Sequence, residues 1–274
     1  EIGYQNHYKK LQYHVNGNLS IIKNKVLTLG MGNVQQTNGM VGNGSDLFIG
    51  YPMDMFYGYK TDGVFLNDNE VASWYDQTAI AKGSRAGDLR FVDVTGDKKV
   101  TNADKVYLGS RIPKYTFGLN LGLAYSGIDF SMLIQGVAGV KGLLTSYAGL
   151  AFNQEGNIQR WQMKENWNVQ QDNRYPGYPR LEVTSGSGSP NTQLSDFWVQ
   201  NASFVKVRNI QVGYTIPQNQ TKKWGVSNAR VYLSLDNPIS IDHYKKGWDP
   251  ENTKNNGTYY PVMSTYTLGL TLSF

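Results

Sequence analysis

Residues 93–104, Asp-Val-Thr-Gly-Asp-Lys-Lys-Val-Thr-Asn-Ala-Asp, place oxygen-bearing side chains at the spacing of a calcium loop: Asp93, Thr95, Asp97, Thr101 and Asp104, with the Lys99 carbonyl between them. A hard cation takes such a set of oxygens. The stretch departs from that pattern where Thr95 replaces a carboxylate or amide, Lys98 replaces the turn glycine, and the short Asp104 stands last. The same oxygens can instead accept the N–H groups of their own turn, with no metal. Calcium is the one cofactor the sequence raises, and none is required. Nothing else is spaced for catalysis. His7, His14 and His243 are isolated, and His-Glu-x-x-His, Gly-x-Ser-x-Gly and phosphate-binding Gly-Lys-Ser/Thr patterns do not occur. No catalytic residue is assigned, and the chain is expected not to be an enzyme.

Binding chemistry has more to work with. Trp161, Trp167, Tyr175 and Tyr178 crowd one segment. Their ring faces can stack on a sugar or a peptide side chain, meet a lid protein, or pack the core of their own loop. Lys206 and Arg208 share the parity of Ile210, Val212 and Tyr214. An unbroken strand would turn both cations to the apolar side, toward lipopolysaccharide phosphates, whereas a β-bulge near Asn209 would turn them inward. Trp198, just ahead of that strand, reads as an interfacial girdle residue, and Tyr266 and Phe274 on the last strand join it in the girdle and in assembly.

The elements that position these residues are strands. The 274 residues include 30 Gly and 19 Tyr with only 17% charged residues, and no apolar run is long enough for a membrane helix. Residues 265–274, Thr-Tyr-Thr-Leu-Gly-Leu-Thr-Leu-Ser-Phe, alternate strictly, as do 115–125, and 129–135 follows after Ser126-Gly127. Ten-residue alternation bounded by turns is the signature of a strand with one face to lipid and one to water. There is no cysteine, so neither disulfides nor thiolate metal sites form; the +5 charge is scattered in pairs, without the basic stripe of a nucleic-acid binder. Glu1-Ile2-Gly3-Tyr4 has no signal-peptide character, so the beginning of the polypeptide is expected to lie elsewhere.

The pattern predicts seven spanning strands, at 8–22, 26–32, 113–125, 128–137, 203–216, 229–237 and 263–274. Short turns belong to the periplasmic side and long loops to the outside. Residues 33–112, 138–195 and 238–262 are then extracellular. Within the first of these loops, 48–66 is expected to stand proud of the membrane or fold over the mouth, and Asn67 to Gln77 to form a helix capped by Asn67 or Asn69.

Several segments together resemble a known family. They are Gly50-Tyr51-Pro52 with Phe56-Tyr57-Gly58-Tyr59-Lys60-Thr61-Asp62-Gly63, then Gly87-Asp88-Leu89-Arg90-Phe91-Val92-Asp93, Pro113-Lys114-Tyr115-Thr116-Phe117-Gly118, Ser195-Asp196-Phe197-Trp198, Val207-Arg208-Asn209-Ile210 and Lys246-Gly247-Trp248-Asp249-Pro250-Glu251. In this order they resemble the C-terminal region of SusC/RagA-type TonB-dependent transporters, over nearly the whole chain. The resemblance implies an all-β fold, the C-terminal portion of a transmembrane antiparallel β-barrel of about 22 strands with a plugged lumen. It also implies a bacterial outer membrane, Bacteroidetes as the source, and active import of a bulky glycan or peptide. The implied partners are a SusD-like surface lipoprotein as lid, the TonB–ExbB–ExbD complex acting through an N-terminal region not present here, and outer-membrane lipid. A passive porin and a secreted carbohydrate-binding β-sandwich are the alternatives.

Overall fold

The computed structural model describes residues 1–30, 34–36, 39–183, 188–245, 247–253 and 258–274. Seven strands form one antiparallel sheet in which spatial order equals chain order: β1 (Ile2–Tyr8), β2 (Leu11–Ile21), β3 (Tyr115–Tyr125), β4 (Ile128–Ala138), β5 (Phe204–Thr215), β6 (Asn228–Asp242) and β7 (Thr265–Ser273). Such a meander puts the connections 9–10, 126–127 and 216–227 at one end and the three long excursions at the other.

The number of strands matches the sequence reading, but one member differs. Residues 26–30 form no strand; Val26 is buried, receives the Gly50 N–H and donates to Tyr51 O, so this stretch belongs to the loop assembly. Its place beside β3 is taken by β2, and the seventh strand is β1 at the sheet edge, joined to β2 through a tight turn in which Lys9 has φ 55°. Since β2 pairs antiparallel with β3, it runs opposite to the direction expected for 8–22. The first excursion therefore starts at residue 22.

Register sorts the two faces. Tyr13, Val15 and Leu19 of β2 lie beside Leu123, Leu121 and Phe117 of β3, which lie beside Phe130, Met132 and Gly136 of β4. Farther along, Tyr214, Val212 and Ile210 of β5 meet Val231, Leu233 and Leu235 of β6, and these meet Leu270, Leu268 and Tyr266 of β7. The outer face is thus a continuous apolar surface, with Leu268 78% exposed. The opposite face carries Gln12, His14, Asn120, Ser131, Gln211, Ser234 and Thr267, and its Asp129–Arg230 ion pair (2.5 Å) spans β4 to β6. An apolar outer and polar inner face is what a barrel wall in lipid requires.

The excursions build a compact assembly of their own around three apolar clusters. One contains Leu144, Ala148, Tyr178, Trp198 and Tyr244, a second Tyr59, Val64, Leu89, Phe91 and Val100, and a third Phe48, Met55 and Tyr57. Two short ladders, Met55–Gly58 with Val106–Ser110 and Thr61–Val64 with Leu89–Phe91, stand outside the large sheet. The helix spans Asp68–Ser73; the Asn67 side chain accepts the Glu70 N–H, and the helix stops at Trp74, whose indole donates to Phe91 O.

Gly58 marks how closely these segments approach. A Cβ there would sit 2.4 Å from Leu194 O, beside the bond from Tyr59 N–H to that same oxygen. Gly58→Ala is expected to destabilise this junction by about 1–3 kcal/mol. Faster hydrogen exchange at the Tyr59 amide checks it; unchanged exchange would mean that the backbone adapts freely.

Candidate functional site

The most concentrated constellation lies at the loop end of the inner face. β5 carries one extra residue, Arg208: Asn209 pairs with Leu133 and Asp236, and Val207 with Ile134 and Ile239. Asn237 on β6, with φ 49°, accommodates the same irregularity. Beyond it Val207 and Val205 face outward, and Lys206 faces inward beside Gln135 and Ser240.

There Lys206 Nζ meets Asp249 Oδ1 at 2.7 Å and Glu251 Oε2 at 2.9 Å. Arg208 binds the other Glu251 oxygen through Nη2, donates from Nε to Gln135 Oε1 at 2.9 Å and reaches Asn237 Oδ1 through Nη1. The Lys206 side chain is only 5% exposed. Burial pushes the Glu251 carboxyl up, but the hydrogen bonds from Arg208 and Lys206 outweigh it and hold the group below its ordinary value. Two cations on the wall thus hold two carboxylates of residues 249–251 against it. This corrects the lipopolysaccharide assignment: the extra residue turns both cations away from the apolar face, and Lys206 is spent on internal partners.

Trp198 is likewise no girdle residue. It is 1% exposed in the first loop cluster, packs edge-on against Tyr178 and Phe197, and donates its indole N–H to Asn191 O at 2.9 Å. Trp161 and Tyr178 belong to the same core, their rings 5.4 Å apart, with Lys245 Nζ 3.9 Å above Trp161. Burial pushes the Tyr178 hydroxyl up to about 12, and its oxygen accepts the Ala151 N–H. Trp167 packs on the second cluster. Only Tyr175 is well exposed, its hydroxyl donating to Asp62, which also ion-pairs with Arg90. The four aromatics expected to form one binding surface are therefore divided: three fill cores and one faces solvent. Tyr266 and Phe274 are exposed. So is Trp224, on the turn between β5 and β6, which sequence reasoning passed over.

The residues of the calcium-like loop do not converge on a cation. Asp93 accepts the N–H groups of Gly96 and Lys98 at 2.6 and 2.7 Å, and Asp97 that of Lys99. Asp104, fully buried, accepts those of Val94, Thr95 and Thr101, and Thr101 caps the helical turn Asn102–Asp104. The Thr95 and Thr101 hydroxyls point at the same carboxylates. Donors occupy the directions a metal would need, and among the described residues no group of three or more His, Cys, Asp or Glu could hold one. Asp104→Ala should release this loop at a cost of about 1–3 kcal/mol, since three N–H groups lose their buried acceptor. Hydrogen exchange at Val94, Thr95 and Thr101 reads the effect, which is expected to be the same in calcium and in chelator. Protection that rises with calcium would restore the metal.

The carboxylates Asp249 and Glu251 were visible in Lys246-Gly247-Trp248-Asp249-Pro250-Glu251 only as a family motif; nothing in the alternation pattern pairs them with β5. Two clefts flank them. One of about 630 Å³ lies between the 237–242 portion of β6 and residues 247–250 and 259–264, and one of about 400 Å³ lies between Phe204, Val137 and Glu251.

No family model matches the chain. Among curated proteins it is 27% identical over 239 residues to a TonB-dependent receptor of Formosa agariphila, covering 82% of this chain and 22% of that receptor. A second receptor of that organism matches at 26% over 272 residues, covering 93% and 26%. The TonB-dependent receptor SusC of Bacteroides thetaiotaomicron matches at 29% over 188 residues, covering 67% and 17%. Among solved structures, the RagAB peptide transporter superposes with a TM-score of 0.67 over 99% of this chain and 28% of that one, at 19% identity. The chain spans roughly a quarter of the length of the first two curated relatives, 22% and 26%.

Proposed function

Because the chain is similar in sequence and in fold to part of a SusC/RagA-type TonB-dependent receptor, we propose that it forms the C-terminal wall and outer loops of an importer. This importer carries a bulky nutrient, an oligosaccharide or a peptide, across the bacterial outer membrane. The observation that carries the reading is the wall itself: seven strands with an apolar outer face and a polar inner face, topped at one end by a packed loop assembly. Residues 22–114, 139–203 and 243–264 face the outside, and the short turns face the periplasm. Exposed Tyr8, Tyr125, Tyr214, Trp224 and Phe274 mark the periplasmic interface, and Tyr115 and Tyr266 the outer one. Of Trp161, Trp167, Tyr175 and Tyr178, Tyr175 is the one exposed to touch substrate or a SusD-like lid.

The importer draws its energy from TonB–ExbB–ExbD and needs no catalytic group of its own. Uptake of two labelled probes, a maltooligosaccharide mixture and a casein-peptide mixture, tests this in cells with the full-length gene intact, deleted, or intact without TonB. Uptake of one probe that needs both gene and TonB is expected. Gene-dependent uptake that ignores TonB would point to a passive porin, and no gene-dependent uptake of either would remove the reading. Purification in mild detergent should bring down a lipoprotein partner.

A further inference from the structure

We infer that residues 247–253 form a strap across the inner wall that must lift for substrate to pass, with Lys206, Arg208, Asp249 and Glu251 as its releasable latch. The inference rests on the import reading. Its first support is position. Among the described residues the wall cations that hold the strap, Lys206 and Arg208, both turn to the inner face, Arg208 also bonding Gln135 there, so residues 249–251 cross the lumen side of β5 at the loop end. Pro250 lines both flanking clefts, one of about 630 Å³ and the other of about 400 Å³. The strap is the partition between them, and its departure joins them into one groove along the wall.

The second support is the kind of hold at each point. The root of the strap is anchored in the loop assembly: Tyr244 is buried in the first cluster, Lys245 pairs with Glu165 at 2.5 Å, and the Trp248 indole donates to Gln159 Oε1 at 3.2 Å. The strap proper is held to the wall by charge, two carboxylates against two cations. Ions that part regain water, so separating such a pair costs a small difference between large terms; an apolar seal has no such compensation. A segment rooted by packing and latched by ion pairs can open and close without disturbing its root. When open, it presents Lys206 and Arg208 to the lumen.

The test uses the full-length protein in its own outer membrane. This chain has no cysteine. A Lys206→Cys/Asp249→Cys pair can be bridged with a reducible bis-methanethiosulfonate reagent, with each single variant treated alike. Uptake is followed with the oligosaccharide or peptide probe that the unmodified protein imports. Bridging is expected to cut uptake about tenfold or more relative to the same double variant before treatment, with recovery on reduction and no change on treating either single variant, because a gate held shut blocks every turnover. Import by the bridged protein at the unbridged rate would overturn the strap while leaving the import reading intact. Hydrogen exchange in the purified wild type is a second readout that needs no probe. The Asp249 amide, whose N–H is held by the Tyr259 hydroxyl outside the strap, should exchange at least about tenfold faster than the β5–β6 ladder, as a low-energy opening requires. Exchange as slow as the ladder would overturn the strap even if neither probe were imported, an outcome that by itself counts against import alone.

Discussion

Trp198→Ala is expected to cost the loop assembly about 3–5 kcal/mol, the range for removing a large aromatic side chain from a packed core. Trp198 touches Tyr178 and Phe197, its indole holds Asn191 O, and its own carbonyl accepts the Leu144 N–H. Residues 144, 178 and 191 thus meet at one residue. The loss should fall on the loops and spare the wall, whose ladders do not involve it. Limited proteolysis of the full-length protein in membranes should show cuts within 139–203 at far lower protease, with the strands still protected. Equal resistance of variant and wild type would mean that the loop core is held elsewhere.

Lys206→Met should be as damaging, by a different route. The methionine fills the space but leaves Asp249 and Glu251, 13% and 28% exposed, facing each other with only Arg208 for company. Removing one partner of a buried ionic cluster costs about 3–5 kcal/mol, more than the cluster contributes when whole. The strap should then leave the wall, read as faster exchange at Asp249, whose N–H is held by the Tyr259 hydroxyl outside the strap. Adding Asp249→Asn to Lys206→Met restores charge balance against Arg208 and should recover part of the loss; if the double variant is worse, the carboxylate is not what suffers. The pH dependence has a definite sign. The Glu251 carboxyl lies below its ordinary value of 4.5 in the folded protein, so its contribution is fully present above that value and is lost as pH falls through the lower folded one. Strap exchange, corrected for intrinsic rates, should be flat from neutral pH down to about 5 and rise only in stronger acid.

Much of the wall is legible in the sequence because alternation is enforced by two solvents. Tyr115–Tyr125 and Thr265–Ser273 alternate without a break and pair as the pattern demands. β1 escapes notice since Asn6 interrupts its outward row of Ile2, Tyr4 and Tyr8, whereas Val26, Leu27 and Leu29 look more strand-like but form no strand, Val26 being buried in the loop assembly. Local pattern cannot weigh one long-range partner against another. Trp198 misleads for a related reason: nearness to a strand in sequence says nothing about whether the chain there turns to lipid or into a core. In residues 93–104 the oxygens are where a metal would want them, but sequence cannot show that the loop's own N–H groups arrive first.

Arg208 also has a meaning for how such walls are compared and altered. It acts as a phase shift: below it the odd residues of β5 face the lumen, and above it the even ones do. Losing that one residue would close the ladder directly from Asn209 to Val207 and keep Lys206 and Phe204 toward the lumen with Val205 and Val207 toward lipid, whereas flattening the bulge with the residue retained would exchange inside for outside in everything above. Two relatives aligned one column apart at this point would therefore seem to disagree about which residues line the pore, although their walls are the same.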